Sequence, residues 1–227
     1  MNRILIRLAA LAIFQACLIQ PGYAAGTNAV IPYKTVDDLC QMADGVDQTK
    51  LLVQVFVSSK NKAVHPSDIS LAIQSGAKGT IPLQVRTDGE LLNFPHQKEL
   101  RRENPSVIAN QPKGTLNLAI SVRLAIPDDP TFRYSRLGDG VAEANKAIKA
   151  QAGMLSLLAP KAQGVIFFFP KASAGKAKVE IASVAGKREY MADENGQIKL
   201  RLEKILLAEN PEVKVSEKLQ LITPDME

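Results

Sequence analysis

The sequence predicts an α+β protein of two tandem repeats, each a helix followed by an antiparallel sheet of about four or five strands. Three observations predict it. Turn signals and apolar segments occur twice in the same order, a helical period precedes each copy, and an alternating period runs through each copy.

Four segments of the first half have counterparts in the second half, in the same order. The pairs are 51–59 with 163–171, 68–79 with 177–187, 86–92 with 193–199, and 100–107 with 206–213. Gly89 aligns with Gly196, and both copies carry Glu-Asn-Pro. Ordered matches predict an internal duplication in which 35–122 superposes on 141–222.

The first helical period covers residues 35–45. Its apolar positions fall on one face at spacings of three and four residues: Val36, Leu39, Cys40 and Ala43. Thr35 is the predicted cap, with Asp38 able to complete a capping box, and Gly45 ends the helix.

The second helical period covers residues 139–160. Its apolar face consists of Val141, Ala144, Ile148, Ala152 and Leu155. Asp139 is the predicted cap and Pro160 the predicted end.

After each helix the period changes to two, which is typical of strands with one buried face. The alternating residues are Ile69, Leu71 and Ile73, then Ile81, Leu83 and Val85, then Leu116, Leu118, Ile120 and Val122, and in the second copy Val179 and Ile181, then Ile198, Leu200 and Leu202. The apolar run 165–170 predicts a central strand, equivalent to 51–59. Glycine-containing turns join neighbouring strands.

The segment 88–107 contains the Asp-Gly turn and the first Glu-Asn-Pro triplet. A residue before proline avoids the helical region, so Asn104 should be extended where the chain leaves the sheet. Arg101 in the first copy faces Leu207 in the second, whereas the backbone signals persist. An architectural role for the segment is therefore predicted.

The amino-terminal segment 1–24 has the pattern of a secretory signal peptide: Arg3 and Arg7, an apolar stretch from Leu8 to Ile19, and small residues at Gly22 and Ala24. The alternatives are an uncleaved transmembrane helix and a lipoprotein beginning at Cys17. The predicted organisation is signal peptide 1–24, first repeat 25–126, linker 127–140 and second repeat 141–227. The mature chain should then be periplasmic or secreted, with no transmembrane segment.

Chemical motifs are sparse. His65 and His96 both stand beside proline, and are interpreted as solvated loop histidines without metal-ligand spacing. Cys40 is interpreted as a buried apolar residue, with an intermolecular disulfide or reactive thiol as the alternative. The aspartates and glutamate at turns and caps are interpreted as solvated or capping: Asp37, Asp38, Asp88, Asp128, Asp129, Asp139, Asp193 and Glu194. No catalytic, cofactor-binding or metal-binding residue is predicted, and no cofactor.

Cations concentrate between residues 161 and 188, whereas acids concentrate between 203 and 227. A surface for an anionic partner is one interpretation, and lysines that solvate the outer face of a sheet are the other. The candidate residues for that surface are Lys171, Lys176, Lys178, Lys187 and Arg188.

The second half, from "YSRLGDG" through "GVIFFFP" to "ENPEV", resembles an exported bacterial family known as a domain of unknown function. The resemblance implies a periplasmic setting and supplies no catalytic residue. The segment "KVEIASVAGKREYMADENGQIKLRL" also resembles transthyretin-like or immunoglobulin-like β modules. Two small β-sandwich modules are therefore the alternative fold.

These observations together predict an exported, non-enzymatic binding or scaffolding module. Its expected partner is an envelope protein or an anionic envelope component, and not a nucleic acid. The alternative is a cell-wall or glycan hydrolase, or an accessory enzyme, that uses a pair of carboxylates.

Overall fold

The computed structural model describes residues 27–126, 129–152 and 160–226. Helices and antiparallel sheets are mixed, so the predicted α+β class is confirmed. The chain divides into two compact units on either side of the Val122–Arg123 bond. The predicted signal peptide lies outside the described residues. Among the helices described, none combines the length and apolar character needed to cross a membrane.

The first unit begins with a strand and contains two helices. Its elements are β1 (Asn28–Pro32), α1 (Tyr33–Asp44), β2 (Leu51–Ser59), β3 (Leu71–Ser75), β4 (Gly79–Val85), β5 (Leu91–Leu92), α2 (Lys98–Glu103), β6 (Ser106–Pro112) and β7 (Leu116–Leu124). The main sheet has the order β1-β6-β3-β4-β5, and β2 pairs with β7. A single bridge joins Phe56 of β2 to Glu90.

The second unit also begins with a strand. Its elements are β8 (Thr131–Arg133), α3 (Ser135–Ala152), β9 (Ala162–Phe168), β10 (Lys178–Ser183), β11 (Gly186–Met191), β12 (Gln197–Arg201), α4 (Lys204–Glu209), β13 (Glu212–Val215) and β14 (Leu221–Met226). One sheet has the order β11-β10-β13-β8 and the other β12-β9-β14. β9 therefore lies in the middle of its sheet, as the apolar run 165–170 predicts.

The helix α1 buries a face made of Tyr33, Val36, Asp37, Cys40 and Ala43, and it packs on β2. The predicted cap at Thr35 is wrong, because the helix already begins at Tyr33 and no side chain of its own amino-terminal residue caps it. The cap comes from α2 instead: the Lys34 N–H donates to Oδ1 of Asn104 at 2.9 Å.

The start of α3 also differs from prediction. It begins at Ser135, so Asp139 lies within the helix and is not its cap. The interval 127–140, predicted as a linker, contains β8 and the first turns of α3. Residues 127–128 and 153–159 lie outside the described residues. The described part of α3 ends at Ala152, so the predicted helix end just before Pro160 falls in an interval that the structure does not describe.

The two short helices α2 and α4 were not predicted, and they change the interpretation of the Glu-Asn-Pro triplets. Asn104 and Asn210 each end a short helix in the left-handed conformation, with φ of 50°. The prediction of an extended Asn104 is therefore wrong. Asparagine adopts this conformation more readily than most residues, and each proline then leads into a strand, β6 or β13.

The glycine turns follow the sequence prediction. Gly89 has φ of +95° between β4 and β5, and Gly196 has φ of +73° between β11 and β12. The Val57 N–H donates to the Gly89 carbonyl at 2.7 Å, and the Phe169 N–H donates to the Gly196 carbonyl at 2.8 Å. Each turn is thereby tied to the chain at the end of β2 or just after β9.

Candidate functional site

The strongest concentration of interacting polar side chains lies in the first unit, where α1 meets α2 and the segment before it. We call it the Asp37 cluster; its members are Asp37, Gln41, Asp44, His96 and Arg101. Asp37 is its centre and is 1% exposed. A fully buried carboxylate is costly unless it is paired, so its partners decide what the cluster can do.

Three side chains hold Asp37. His96 Nδ1 lies 2.6 Å from Oδ1, Gln41 Nε2 donates to Oδ2 at 2.8 Å, and a guanidinium N–H of Arg101 donates to the same Oδ2. Burial is the largest single influence on the carboxyl and acts to raise its pKa. The hydrogen bonds from His96, Arg101 and Gln41 together outweigh burial, and the pKa of Asp37 lies below its ordinary value.

His96 is shared between two carboxylates of α1, one near the middle of the helix and one at its carboxyl-terminal end. Its Nδ1 faces buried Asp37, and its Nε2 lies 2.8 Å from Oδ2 of Asp44, whose side chain is 69% exposed. Nη2 of the Arg101 guanidinium forms an ion pair with Oδ1 of Asp38 at 2.7 Å. The interpretation of His96 as a solvated loop residue is therefore wrong, and so is that of Asp37 as solvated or capping.

Aromatic rings pack beside the cluster. Buried Tyr33 donates its hydroxyl hydrogen to the carbonyl of Pro95 and accepts the N–H of Gln97 at 3.3 Å. The ring of Phe94 lies between the rings of Tyr33 and His96, at centroid distances of 5.2 Å and 5.5 Å. These contacts fix the segment that carries His96 against α1.

Cys40 lies on the same helix and is buried. Burial, followed by the charges of Asp44 and Asp37, raises the pKa of its thiol to about 12. Because the thiolate is the reactive form, this environment suits the packing interpretation of Cys40 and not that of a reactive thiol.

The second unit has an apolar set at the matching positions, counted from shared hydrogen bonds. Tyr134 N donates to the Pro211 carbonyl as Tyr33 N does to Pro105, and Glu203 N donates to the Tyr134 hydroxyl as Gln97 N does to Tyr33. Counting from these anchors places Gly138, Leu202 and Leu207 where Asp37, His96 and Arg101 stand. A Cβ built on Gly138 would lie 2.5 Å from Leu207 Cδ2, so these two positions are close neighbours as well.

Comparing the matching positions of the two units bears on the role of the charged residues. The second unit satisfies the same helix contact with glycine and leucines, which avoid the desolvation of a buried charge. The second unit thus makes this helix contact without charged residues. This makes the cluster the best candidate for a property that only the first unit has.

Sequence reasoning missed this cluster for two reasons. Asp37 is four residues after Tyr33 and three before Cys40, a helical spacing that places it on the buried face and could have identified it. Its partners His96 and Arg101 are about sixty residues away and separated from it by four strands. No local pattern connects them.

The other predicted acids that the structure describes are exposed, whereas Asp128 lies outside the described residues. Asp88 pairs with Arg86 at 2.5 Å, and Asp193 accepts the backbone N–H groups of Asn195 and Gln197 within its turn. His65 is exposed, as predicted. In the described part of the chain, no group of three or more histidine, cysteine, aspartate or glutamate side chains could hold a metal ion.

The candidate basic surface contains both paired and open cations. Lys187 lies 2.9 Å from Glu180 and 3.0 Å from Glu189, Lys178 lies 3.5 Å from Glu189, and Arg188 lies 2.6 Å from Glu203. Lys171 and Lys176 are exposed, and neither forms an ion pair with another described residue. Among the five candidate residues, the unpaired positive charge therefore lies at these two lysines.

A cavity of about 440 Å³ lies along β1 and β6 of the first unit. Its lining residues are Thr27, Asn28, Val30, Pro32, Asn104, Ser106 and Lys113. The cavity contains no member of the Asp37 cluster. No protein-family model, no curated protein and no solved structure matches the chain.

Proposed function

We propose that this chain is an exported periplasmic protein that contains two copies of one α+β unit and acts as a non-enzymatic binding or scaffolding module. Its partner in this proposal is an envelope protein or an anionic envelope component. The proposal keeps the periplasmic setting implied by the resemblance of the second half to an exported bacterial family.

The order of elements supports duplication. Leaving aside the 3₁₀ turns, each unit runs strand, helix, four strands, short helix and two strands. The pairings correspond too: β1 with β6 and β8 with β13, β3 with β6 and β10 with β13, β3 with β4 and β10 with β11. Equal patterns bury equal faces, which is what two copies of one sequence would do.

The observation that carries the proposal is the structural use of the glutamate and asparagine side chains in both Glu-Asn-Pro triplets. Glu103 accepts the N–H of Gly76 at 2.5 Å, and Glu209 accepts that of Val184 at 3.4 Å, each tying a short helix to a hairpin turn. Asn104 caps α1, and Asn210 accepts the Ser135 N–H at 2.9 Å. The most distinctive repeated motif is thus occupied with architecture, which favours a scaffold over a catalyst.

The Asp37 cluster argues against the hydrolase alternative. A glycosidase needs one carboxyl that stays protonated near neutral pH, which requires a raised pKa. Asp37 has a lowered pKa because three donors hold its charged form. Its oxygens are also engaged by His96, Gln41 and Arg101 rather than directed at a substrate.

Export is tested by intact mass of the native protein. The expected amino terminus is Ala25 or Gly26, whereas a mass that includes residues 1–24 or a lipid on Cys17 would contradict the proposal.

Binding is tested by crosslinking the protein in living cells, identifying the attached component and measuring its affinity for the purified chain. The double variant K171E/K176E should weaken an anionic partner severalfold, whereas the already paired Lys178 provides the control, K178E. The purified chain should show no turnover of cell-wall glycans. Turnover that the single substitution D37N abolishes would overturn the proposal.

A further inference from the structure

We propose that His96 is a pH-dependent latch that fastens the segment 93–97, between β5 and α2, to the carboxyl-terminal turn of α1. The latch consists of His96 and the two carboxylates of Asp37 and Asp44. It closes when the imidazole is protonated and opens toward Asp44 when the imidazole is neutral.

The geometry requires a doubly protonated ring. A carboxylate can only accept hydrogen bonds, so each ring nitrogen must donate to make both contacts. The two distances, 2.6 Å to Asp37 and 2.8 Å to Asp44, are both hydrogen-bond distances. A neutral imidazole carries one N–H, so its second nitrogen would turn a lone pair toward a carboxylate oxygen.

The contact that opens is the one to Asp44. Asp37 is buried and held also by Arg101 and Gln41, so it stays in place and retains a donor on Nδ1. Asp44 is 69% exposed, and water can replace the imidazole at its carboxylate. The neutral tautomer with hydrogen on Nδ1 therefore keeps the inner half of the latch and releases the outer half.

Charged and titratable groups of α1 and α2 surround the ring. On α1 these are Asp37, Asp38 and Asp44, with the hydroxyl of Tyr33 and the thiol of Cys40; on α2 the facing charge is Arg101. The pKa of Asp37 is lowered, that of Tyr33 is raised and that of Cys40 is about 12. Between pH 5 and 8 imidazole is the side chain that ordinarily changes charge.

The segment is anchored at one side, so the opening is local. The Tyr33 hydroxyl holds the Pro95 carbonyl and the Gln97 N–H, independently of His96. Asn93, with φ of 48°, begins the segment in the left-handed conformation. Loss of the Asp44 contact thus frees the end of α1, while the imidazole stays bound to Asp37 and α2 stays in place.

The second unit provides an internal reference. Leu202 occupies the position of His96 and Gly138 that of Asp37, so the matching segment has no histidine. A pH response at 93–97 with none around Leu202 would separate the latch from any general effect of pH on the fold.

The experiment is backbone NMR of the full chain at pH 5.5 and pH 8. The amide resonances of Phe94, His96, Gln97 and residues 43–45 should shift between the two pH values. Hydrogen-exchange protection at these amides, corrected for the intrinsic rate, should fall about threefold or more at pH 8. H96Q should abolish the difference, and D44N should reduce it by more than half. H65Q, which alters the exposed histidine, should leave it intact.

Two results would overturn the latch: residues 94–97 unchanged between the two pH values in the wild type, or an unchanged response in D44N. Because Asp44 is exposed, D44N keeps the test decisive even if H96Q fails to fold.

Discussion

Asn104 follows Lys34 by seventy residues, and its side-chain oxygen accepts the Lys34 backbone N–H at 2.9 Å. The backbone N–H of the same asparagine donates to the Leu100 carbonyl at 2.7 Å and ends α2. One residue therefore closes one helix and begins another. Asn210 does the same for α4 and α3, with the N–H of Ser135 as its donor.

Replacing Asn104 by alanine should destabilise the first unit by about 1–3 kcal/mol, because the cap is lost and alanine is strained at positive φ. N104G keeps the backbone conformation and loses only the cap, so it should cost less than N104A. Urea denaturation of both variants measures the difference. Equal stabilities for the two would contradict the role of the left-handed conformation, and N210A with N210G repeats the test in the second unit.

A side chain at Gly89 should destabilise the first unit. A Cβ there would lie 2.4 Å from the Val57 carbonyl oxygen, at φ of +95°. G89A should therefore cost about 2–4 kcal/mol from backbone displacement and strain.

Gly114 is the matched control for Gly89, because it has φ of +81° and nothing within 4 Å of an added Cβ. G114A introduces only the backbone strain of a positive φ, and it should lower the free energy of unfolding by about 1–2 kcal/mol. Thermal or urea unfolding of the two variants measures the gap, and equal losses would show that the contact with Val57 yields easily.

The elements that could be predicted are those with a local pattern. The turn glycines, the alternating strands and the buried run of β9 all came from spacing and turn chemistry. The helix starts at Tyr33 and Ser135 could not be predicted, because their capping groups arrive from Asn104 and Asn210, far along the chain. The capping propensity of Thr35 and Asp139 did not decide where the helices begin, because these distant asparagines cap them instead.

Transferring the residues of the second unit into the first tests whether the Asp37 cluster is dispensable for folding. D37G alone leaves Arg101 and His96 facing an empty site and adds the cost of glycine in a helix. The triple variant D37G/H96L/R101L restores an apolar set. It should be more stable than the sum of its single substitutions indicates, by about 1–3 kcal/mol.

The reverse change is the control for this transfer. G138D places a carboxylate against Leu207 without a cation and should destabilise the second unit. Strictly additive stabilities in the triple variant would show that the three charged residues do not act together.

Acid should weaken the first unit through Asp37. Its pKa is lowered in the folded chain, so its charged form contributes stability that is present above the unfolded pKa and is lost as pH falls through the folded pKa. The stability gap between wild type and D37N should be present at pH 5 and should narrow below about pH 4. Urea denaturation at each pH measures it; a gap that widens toward acid would contradict the assigned direction.

The cluster itself marks the limit of what a single sequence predicts. Asp37 carried a helical signal for burial, yet a buried aspartate has meaning only with its partners. His96 and Arg101 reach it through the fold of the intervening strands, and one sequence contains no pattern that pairs them. The sequence alignment already placed Leu207 opposite Arg101, whereas Gly138 and Leu202 became visible as counterparts only after the shared hydrogen bonds aligned the units.

The buried tyrosines give the molecule a spectroscopic property. The chain has no tryptophan, so its near-ultraviolet absorbance and emission come from tyrosine. Tyr33 lies in the core of one unit and Tyr134 in the core of the other, both fully shielded from water. Exchanging either ring for phenylalanine removes one core chromophore, so the difference between the variant and the wild type gives the optical melting signal of that half without an attached dye.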